Sequence, residues 1–162
     1  MNLMIRGLSV SVPQDELARL VLDRLTSVES ASDILTPPRI GEVWSGQGGT
    51  YAGLCRGRDG GPDYHLIVGP EYDGTVDWDV ARKWADELSA NGFTDYGLPF
   101  RKEQALCFAN VPELFKPETY WSCEQHASAS DGAWTQTFDR GYQDYWRKRR
   151  KLRARAVRRL KI

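Results

Sequence analysis

Two β-rich runs, TYAGLCRG over residues 50–57 and DYHLIVGP over residues 63–70, lie on either side of the short segment RDGGP. This segment is a strong turn signal, because Gly60 and Gly61 accept positive backbone φ angles and Pro62 cannot continue a β-ladder. The two runs are therefore predicted to pair as an antiparallel hairpin. The pairing constrains the chain to a fold that contains antiparallel sheet.

Two helices are predicted in the middle of the chain. The segment TVDWDVARKWADELSANGF, residues 75–93, has apolar residues at three- and four-residue spacing and ends at Asn91 and Gly92, a pair typical of helix C-termini. A second, shorter helix is predicted after Pro99, in RKEQALCFANVPELF, before Pro112 interrupts it. The apolar positions are Val80, Ala81, Trp84, Ala85 and Leu88 in the first helix and Ala105, Leu106 and Phe108 in the second.

The last part of the chain favours strands joined by tight turns. Four runs are rich in aromatic and β-branched residues or alternate strictly: TYWSCEQ, GAWTQTFD, YQDYWRK and KLRARAVRRL. Gly141, which follows Asp139 and Arg140, suits a hairpin bend between the second run and the third. Together these patterns predict an α+β fold with two helices and antiparallel hairpins.

The first 36 residues have a different pattern. Residues 4–12, MIRGLSVSV, alternate as a strand does, and Pro13 stands where a first helical turn begins, so a helix is predicted from there to about residue 27. Pro37 and Pro38 cannot continue a helix, which predicts a boundary near residue 37. We expect residues 1–36 to form a strand–helix element for docking or homo-oligomerisation, and residues 37–162 to form the main domain.

The charges are distributed unevenly, although 22 basic and 22 acidic residues give a formal net charge of zero. Residues 147–161, RKRRKLRARAVRRLK, contain ten of the basic residues and no acid, so the preceding residues carry twelve basic against 22 acidic. Either these basic residues neutralise the acidic remainder, or they bind a sulfated or phosphorylated sugar, nucleic acid or an acidic protein surface. The sequence does not choose among these alternatives.

The sequence contains no motif that predicts catalysis, a cofactor or a metal. It lacks a phosphate-binding glycine loop, HExxH and GxSxG, so no catalytic residue is assigned. Cys55, Cys107 and Cys123 are predicted to be reduced and buried. The alternative, for a protein displayed outside a cell, is one disulfide between two of them. His126 follows Cys123 by three residues, but no acid that would orient it is found. No apolar run predicts membrane insertion, and MNLMIRGLSV does not have the layout of a signal peptide.

Aromatic residues are the other candidates for function, since six tryptophans are many for 162 residues. Trp44, Trp78, Trp84 and Trp121 stand in patterns that predict core positions. Aromatic residues of the late hairpins lie among Gln, Asp and Arg, and exposed aromatic rings beside arginines are typical of ligand surfaces. The predicted ligand-binding residues are Trp134, Tyr142, Asp144, Tyr145, Trp146, Arg149 and Arg150.

Five motifs in order support a family resemblance. They are DWDVARKWADEL, DYGLPFRKEQ, YWSCEQ, AWTQTFDRGYQ and LRARAVRR. Over roughly residues 40–160 the chain resembles the Lcl C-terminal domain family, the C-type-lectin-like domain of bacterial collagen-like adhesins and prophage proteins. The chain has DYGLPF where that family usually shows DWRLPT, and YWSCE where it shows YWSST. The calcium–sugar motif Glu-Pro-Asn of animal lectins and the paired cysteines of sulfatase-activating enzymes are absent from the sequence.

The resemblance implies recognition rather than catalysis. We therefore expect a non-enzymatic binding module, encoded by a phage or prophage, that recognises a glycan or a host protein surface through its C-terminal hairpins. The alternative is a small intracellular phage effector that binds a host protein or nucleic acid through its basic C-terminus. The expected location is the virion or the bacterial cytoplasm.

Overall fold

The structure of the protein is a computed structural model, and it describes residues 2–5, 8–11, 18–19 and 36–162. The chain divides into two compact units, residues 1–36 and residues 37–162. No described helix combines the length and apolar character needed to cross a membrane.

The first unit contains two short strands, β1 (Asn2–Ile5) and β2 (Leu8–Ser11). They pair antiparallel, with Ile5 opposite Leu8 and Asn2 opposite Ser11. The prediction of one strand over residues 4–12 is therefore wrong, because the described residues of this segment belong to two strands. Of the predicted helix over residues 13–27, only positions 18 and 19 are described, and both are helical; the rest lies outside the described residues.

The second unit is an α+β domain with two helices and two antiparallel sheets, as the sequence predicts. Its elements, in chain order, are β3 (Val43–Trp44), β4 (Gly49–Cys55), β5 (Tyr64–Glu71), α1 (Trp78–Glu87), α2 (Arg101–Asn110), a 3-10 turn (Pro112–Leu114), β6 (Thr119–Gln125), β7 (Gly132–Thr137), β8 (Gln143–Arg147) and β9 (Arg155–Lys161). One sheet has the strand order β3-β4-β5-β9 and the other the order β6-β7-β8. The predicted hairpin of residues 50–70 is confirmed as β4 and β5.

Helix α1 begins after Asp77, whose Oδ1 accepts a hydrogen bond from the Val80 amide at 3.0 Å. Its buried residues are Trp78, Ala81 and Ala85. Val80 is 44% exposed, against prediction, because it lies two positions after Trp78 and so on another side of the helix. The helix also ends at Glu87 rather than at residues 91–92, which have positive φ angles in a tight turn instead.

Helix α2 forms after Pro99 as predicted, but a different face is buried. Its fully buried residues are Glu103, Gln104 and Cys107, whereas the predicted apolar positions are exposed or half-buried. The Glu103 carboxylate accepts hydrogen bonds from the Tyr64 hydroxyl at 2.6 Å and from the Arg159 guanidinium at 2.7 and 2.8 Å. A buried charge is tolerated when it is paired and hydrogen-bonded in this way.

The hydrophobic core of this unit has two principal clusters. One joins Cys107 on α2 to Leu66 and Val68 on β5, and the other joins Ala81 on α1 to Trp121 on β6. Trp44, Trp78 and Trp121 are buried as predicted, and Trp84 is half-buried.

Candidate ligand-binding site

Strand β8 carries three of the seven predicted ligand-binding residues, Asp144, Tyr145 and Trp146, and divides them between two faces of its sheet. Trp134 on β7 lies opposite Tyr145, and Ala133 lies opposite Trp146. Because successive residues of a strand point to opposite faces, Tyr145 and Trp134 share one face, while Asp144 and Trp146 lie on the other. The structure therefore does not bring the predicted residues together on one surface.

The first face holds an aromatic cluster, which we define as His126, Trp134 and Tyr145. The His126 ring centroid lies 4.1 Å from that of Tyr145 and 4.8 Å from that of Trp134. The His126 Nδ1 accepts hydrogen bonds from the amides of Ser128 and Ala129 at 3.2 and 3.1 Å. Neutral His126 therefore carries its proton on Nε2.

Helix α2 covers part of this cluster. The Arg101 guanidinium lies 3.5 Å from the Trp134 ring centroid, and its Nε donates to the Gln143 Oε1 at 3.2 Å. Trp134 is consequently half-buried, while Tyr145 is 45% exposed. The sequence did not identify Arg101 or His126 as neighbours of these rings, because their contacts join separate elements of the chain.

The second face presents Trp146, which is 39% exposed. The Arg150 guanidinium lies 4.6 Å from the Trp146 ring centroid, within the range of a cation–π contact. Asp144, earlier on the same strand, uses its Oδ1 to accept a hydrogen bond from the Tyr145 amide at 2.7 Å. Tyr142 is 64% exposed next to the β7–β8 turn, where its amide donates to the Thr137 hydroxyl at 3.1 Å.

Residues 147–151, which we call the basic turn, begin at the last residue of β8. Two of the five side chains contact acids: Arg147 lies 3.6 Å from Asp131, and Lys151 lies 2.7 Å from Asp77, which lowers the pKa of the Asp77 carboxyl. Lys148 donates to the Gln125 Oε1 at 2.6 Å, and its Nζ lies 4.4 Å from the Trp78 ring centroid. No carboxylate of the described residues lies within 4 Å of the remaining two side chains, those of Arg149 and Arg150.

The arginines after the basic turn, in contrast, contact acidic residues within the fold. Arg153 lies 2.9 Å from Glu118, Arg155 lies 4.0 Å from Glu71, Arg158 donates to Asp95 at 2.9 Å and Arg159 binds the buried Glu103. The Arg158 hydrogen bond holds the pKa of Asp95 below its usual value. The positive charge left without an acidic partner in residues 147–161 is therefore concentrated at the basic turn.

Two surface depressions lie at the basic turn. One, of about 490 Å³, is lined by Trp146, Arg147, Arg149 and Arg150, with no acidic side chain among the described residues that line it. The other, of about 670 Å³, shares Arg147 and Arg149 with the first, but Asp77, Asp79 and Asp131 also line it. An anion would therefore meet less repulsion in the smaller depression.

The thiols do not have the environment of reactive cysteines. Burial raises the pKa of Cys123 to about 12 and also raises the pKa values of Cys55 and Cys107, so all three thiols stay protonated near neutral pH. The His126 Nδ1 is occupied by backbone amides rather than by Cys123. Within the described part of the chain, no group of three or more His, Cys, Asp or Glu residues is placed to hold a metal ion.

No protein-family model matches this chain, and no curated protein matches it either.

Proposed function

We propose that residues 37–162 form a non-enzymatic ligand-binding module that recognises an anionic partner through Trp146, Arg149 and Arg150. One observation carries the proposal: two arginines that have no acidic partner among the described residues lie together beside an exposed tryptophan ring. Unpaired like charges on one turn repel each other, so their charge opposes rather than favours folding. An exposed tryptophan flanked by arginines is, however, a typical composition of binding surfaces.

The chemistry of the ligand follows from the side chains. A guanidinium group presents paired donors that match the oxygens of carboxylate, sulfate or phosphate groups. The Trp146 ring adds apolar contact area beside these charges. A sulfated glycan, an acidic protein segment and a nucleic acid all share this chemistry.

A C-type-lectin-like fold and membership of the collagen-like adhesin domain family are part of this proposal. The α+β architecture with two antiparallel sheets is compatible with both. An origin in a phage or prophage, with a place in the virion or the bacterial cytoplasm, is also proposed. Adjacency of the gene to tail genes would support receptor binding, whereas adjacency to small early genes would support the effector alternative.

A binding measurement with a polyanion tests the site. We expect a heparin octasaccharide to bind the full chain, and the double variant Arg149→Ala/Arg150→Ala to bind it about tenfold more weakly, because two charge contacts are lost. Isothermal titration calorimetry at about 0.15 M salt, where the Debye length is about 8 Å, measures both affinities.

The matched control removes two other exposed arginines. Arg39→Ala/Arg140→Ala lowers the net charge by the same amount, away from the basic turn. We expect this control to keep affinity within about twofold of the wild type, because exposed charges at a distance are screened by salt. Equal losses of affinity in the two double variants would show that heparin binding depends only on net charge, and this would contradict the proposal.

A further inference from the structure

Strand β8 is an open edge of the three-stranded sheet. The opposite edge strand, β6, is partly covered, because the Trp121 amide donates to the Arg153 carbonyl at 2.9 Å and the Arg153 amide donates to the Thr119 carbonyl at 3.1 Å. Strand β8 pairs with β7 on one side, and no strand among the described residues pairs with its other side. Such an edge is a template for another strand.

The hydrogen-bond pattern fixes which backbone groups of β8 face outward. The Thr137 amide donates to the Tyr142 carbonyl at 2.9 Å, and the Lys148 amide donates to the Asp131 carbonyl at 2.8 Å. In an antiparallel pair, alternate residues turn their backbone groups toward the partner strand. The residues whose backbone groups face away from β7 are therefore Gln143, Tyr145 and Arg147.

Two of these outward groups already have partners. The Tyr145 amide donates to the Asp144 side chain at 2.7 Å, and the Arg147 carbonyl accepts from the Arg150 amide at 2.8 Å. The Gln143 amide and carbonyl, the Tyr145 carbonyl and the Arg147 amide have no partner within residues 36–162. The edge thus offers both donors and acceptors. In the middle of the strand, the Tyr145 amide is already occupied, by the Asp144 carboxylate.

The side chains beside this edge favour a strand over a flat ligand. Tyr145 is exposed on one face of the sheet and Trp146 on the other. A glycan or a nucleic-acid base stacked on one ring would not contact the other ring. A strand added to the edge would place alternate side chains against both rings.

The charge beside the edge determines the composition of that strand. Arg147 lies at the end of β8, and Arg149 and Arg150 follow it with no acidic partner in the described part of the chain. We propose that β8 binds an extended acidic segment of a partner protein, which adds to the sheet as a fourth strand. This inference rests on the proposed function and specifies the partner and the geometry of binding.

The test uses two synthetic peptides and the full chain. The first peptide has seven residues of alternating glutamate and valine, and the second has the same sequence with every amide N-methylated, so that it keeps its charge but cannot donate backbone hydrogen bonds. We expect the first peptide to bind and the second to bind at least tenfold more weakly. We also expect the Gln143 and Arg147 amides to exchange more slowly with solvent by NMR when the first peptide is bound.

A pair of variants repeats the test on the protein. Arg147→Ala and Arg147→Pro both lose the guanidinium group, but only the proline variant loses the outward amide, and proline is tolerated on the solvent side of an edge strand. We expect the proline variant to bind the first peptide at least fivefold more weakly than the alanine variant. The N-methylated peptide keeps the test valid if the proline variant does not fold.

The outcomes separate this inference from the proposed function. Equal affinities for the two peptides, or unchanged exchange at Gln143 and Arg147, would overturn strand addition even if Arg149→Ala/Arg150→Ala still weakens heparin binding. A peptide that fails to bind while heparin or a single-stranded DNA oligonucleotide binds would also overturn it, in favour of a glycan or nucleic acid. Failure of every polyanion to bind would overturn the proposed function as well.

Discussion

At the scale of single residues, the arginines near the C-terminus differ in what their guanidinium groups contact. Arg158 is 4% exposed and binds Asp95, whereas Arg150 contacts only the Trp146 ring and Arg149 has no acidic partner in the described part of the chain. The sequence identified the basic run but left both interpretations open. It could not separate them, because the acidic partners of β9 come from segments that are distant in the chain.

The buried Glu103 is the acidic residue whose loss should matter most for stability. Glu103→Gln keeps the shape of the side chain but leaves the Arg159 guanidinium without its carboxylate. We expect this variant to lose about 3 kcal/mol of unfolding free energy in urea, because one partner of a buried ion pair is removed.

A surface ion pair provides the comparison for Glu103. Glu87 lies 4.0 Å from Lys83, and both side chains are mostly exposed. We expect Glu87→Gln to cost less than about 1 kcal/mol. Similar small losses in the two variants would show that Glu103 is not part of the structural core.

His65 should make stability depend on pH. Its Nδ1 lies 2.9 Å from the Tyr51 hydroxyl, and burial lowers the pKa of His65 below its usual value of about 6.5. The unfolded chain therefore binds a proton more readily than the folded protein, so this contribution is fully present above pH 6.5 and is lost as the pH falls toward the lower folded pKa. We expect the unfolding free energy in urea to decrease between pH 7 and pH 5.

The variant His65→Gln tests the origin of this pH dependence. Glutamine does not titrate, so the variant should show a flatter profile over the same range. Asp77 and Asp95 also have lowered pKa values, but they affect stability only below about pH 4. Equal slopes in the wild type and the variant between pH 7 and pH 5 would exclude His65 as the cause.

At the scale of elements, the sequence predicted the strands after residue 49 and both helices well, because each depends on local pattern. It was less accurate for buried faces. Val80 was expected on the buried face of α1, but that face is formed by Trp78, Ala81 and Ala85. Helix α2 likewise buries Glu103 rather than Ala105. Which face is buried depends on what packs against the helix, and a paired charge can occupy a core position that an apolar pattern would not assign.

The candidate site shows the same division between local and non-local information. Tyr145 and Trp146 were correctly identified as exposed aromatic residues of a late hairpin. Their separation onto two faces follows from strand geometry alone and could have been predicted. The contacts of Arg101 and His126 with the aromatic cluster could not, because they depend on how α2 and the β6–β7 loop pack.

The β7–β8 turn offers a test at this scale. Gly141 has a φ of 78°, and a Cβ added there would lie 2.5 Å from the Phe108 ring, whereas Gly60 has a φ of 79° and nothing within 4 Å. Alanine at either position should cost about 1–2 kcal/mol for the backbone conformation. We expect Gly141→Ala to cost about 1–3 kcal/mol more than Gly60→Ala in urea unfolding, because Phe108 must move. Equal costs would show that the turn does not pack on α2.

At the scale of the whole molecule, the formal net charge of zero conceals a local excess. The arginines of β9 form ion pairs with acidic residues of other segments. Strand β9 also pairs with β5, which is distant from it in the sequence. The basic turn lies outside this network and adjoins both the exposed Trp146 and the open edge of β8. We therefore propose that binding takes place at the basic turn, whereas the arginines that follow it hold the fold together.

The most direct test of this account is a map of amide chemical-shift changes when a heparin octasaccharide is added to the isotopically labelled full chain. We expect the largest changes at residues 146–150 and small changes at residues 153–159. Changes centred on residues 153–159, or on the aromatic cluster of His126, Trp134 and Tyr145, would contradict it.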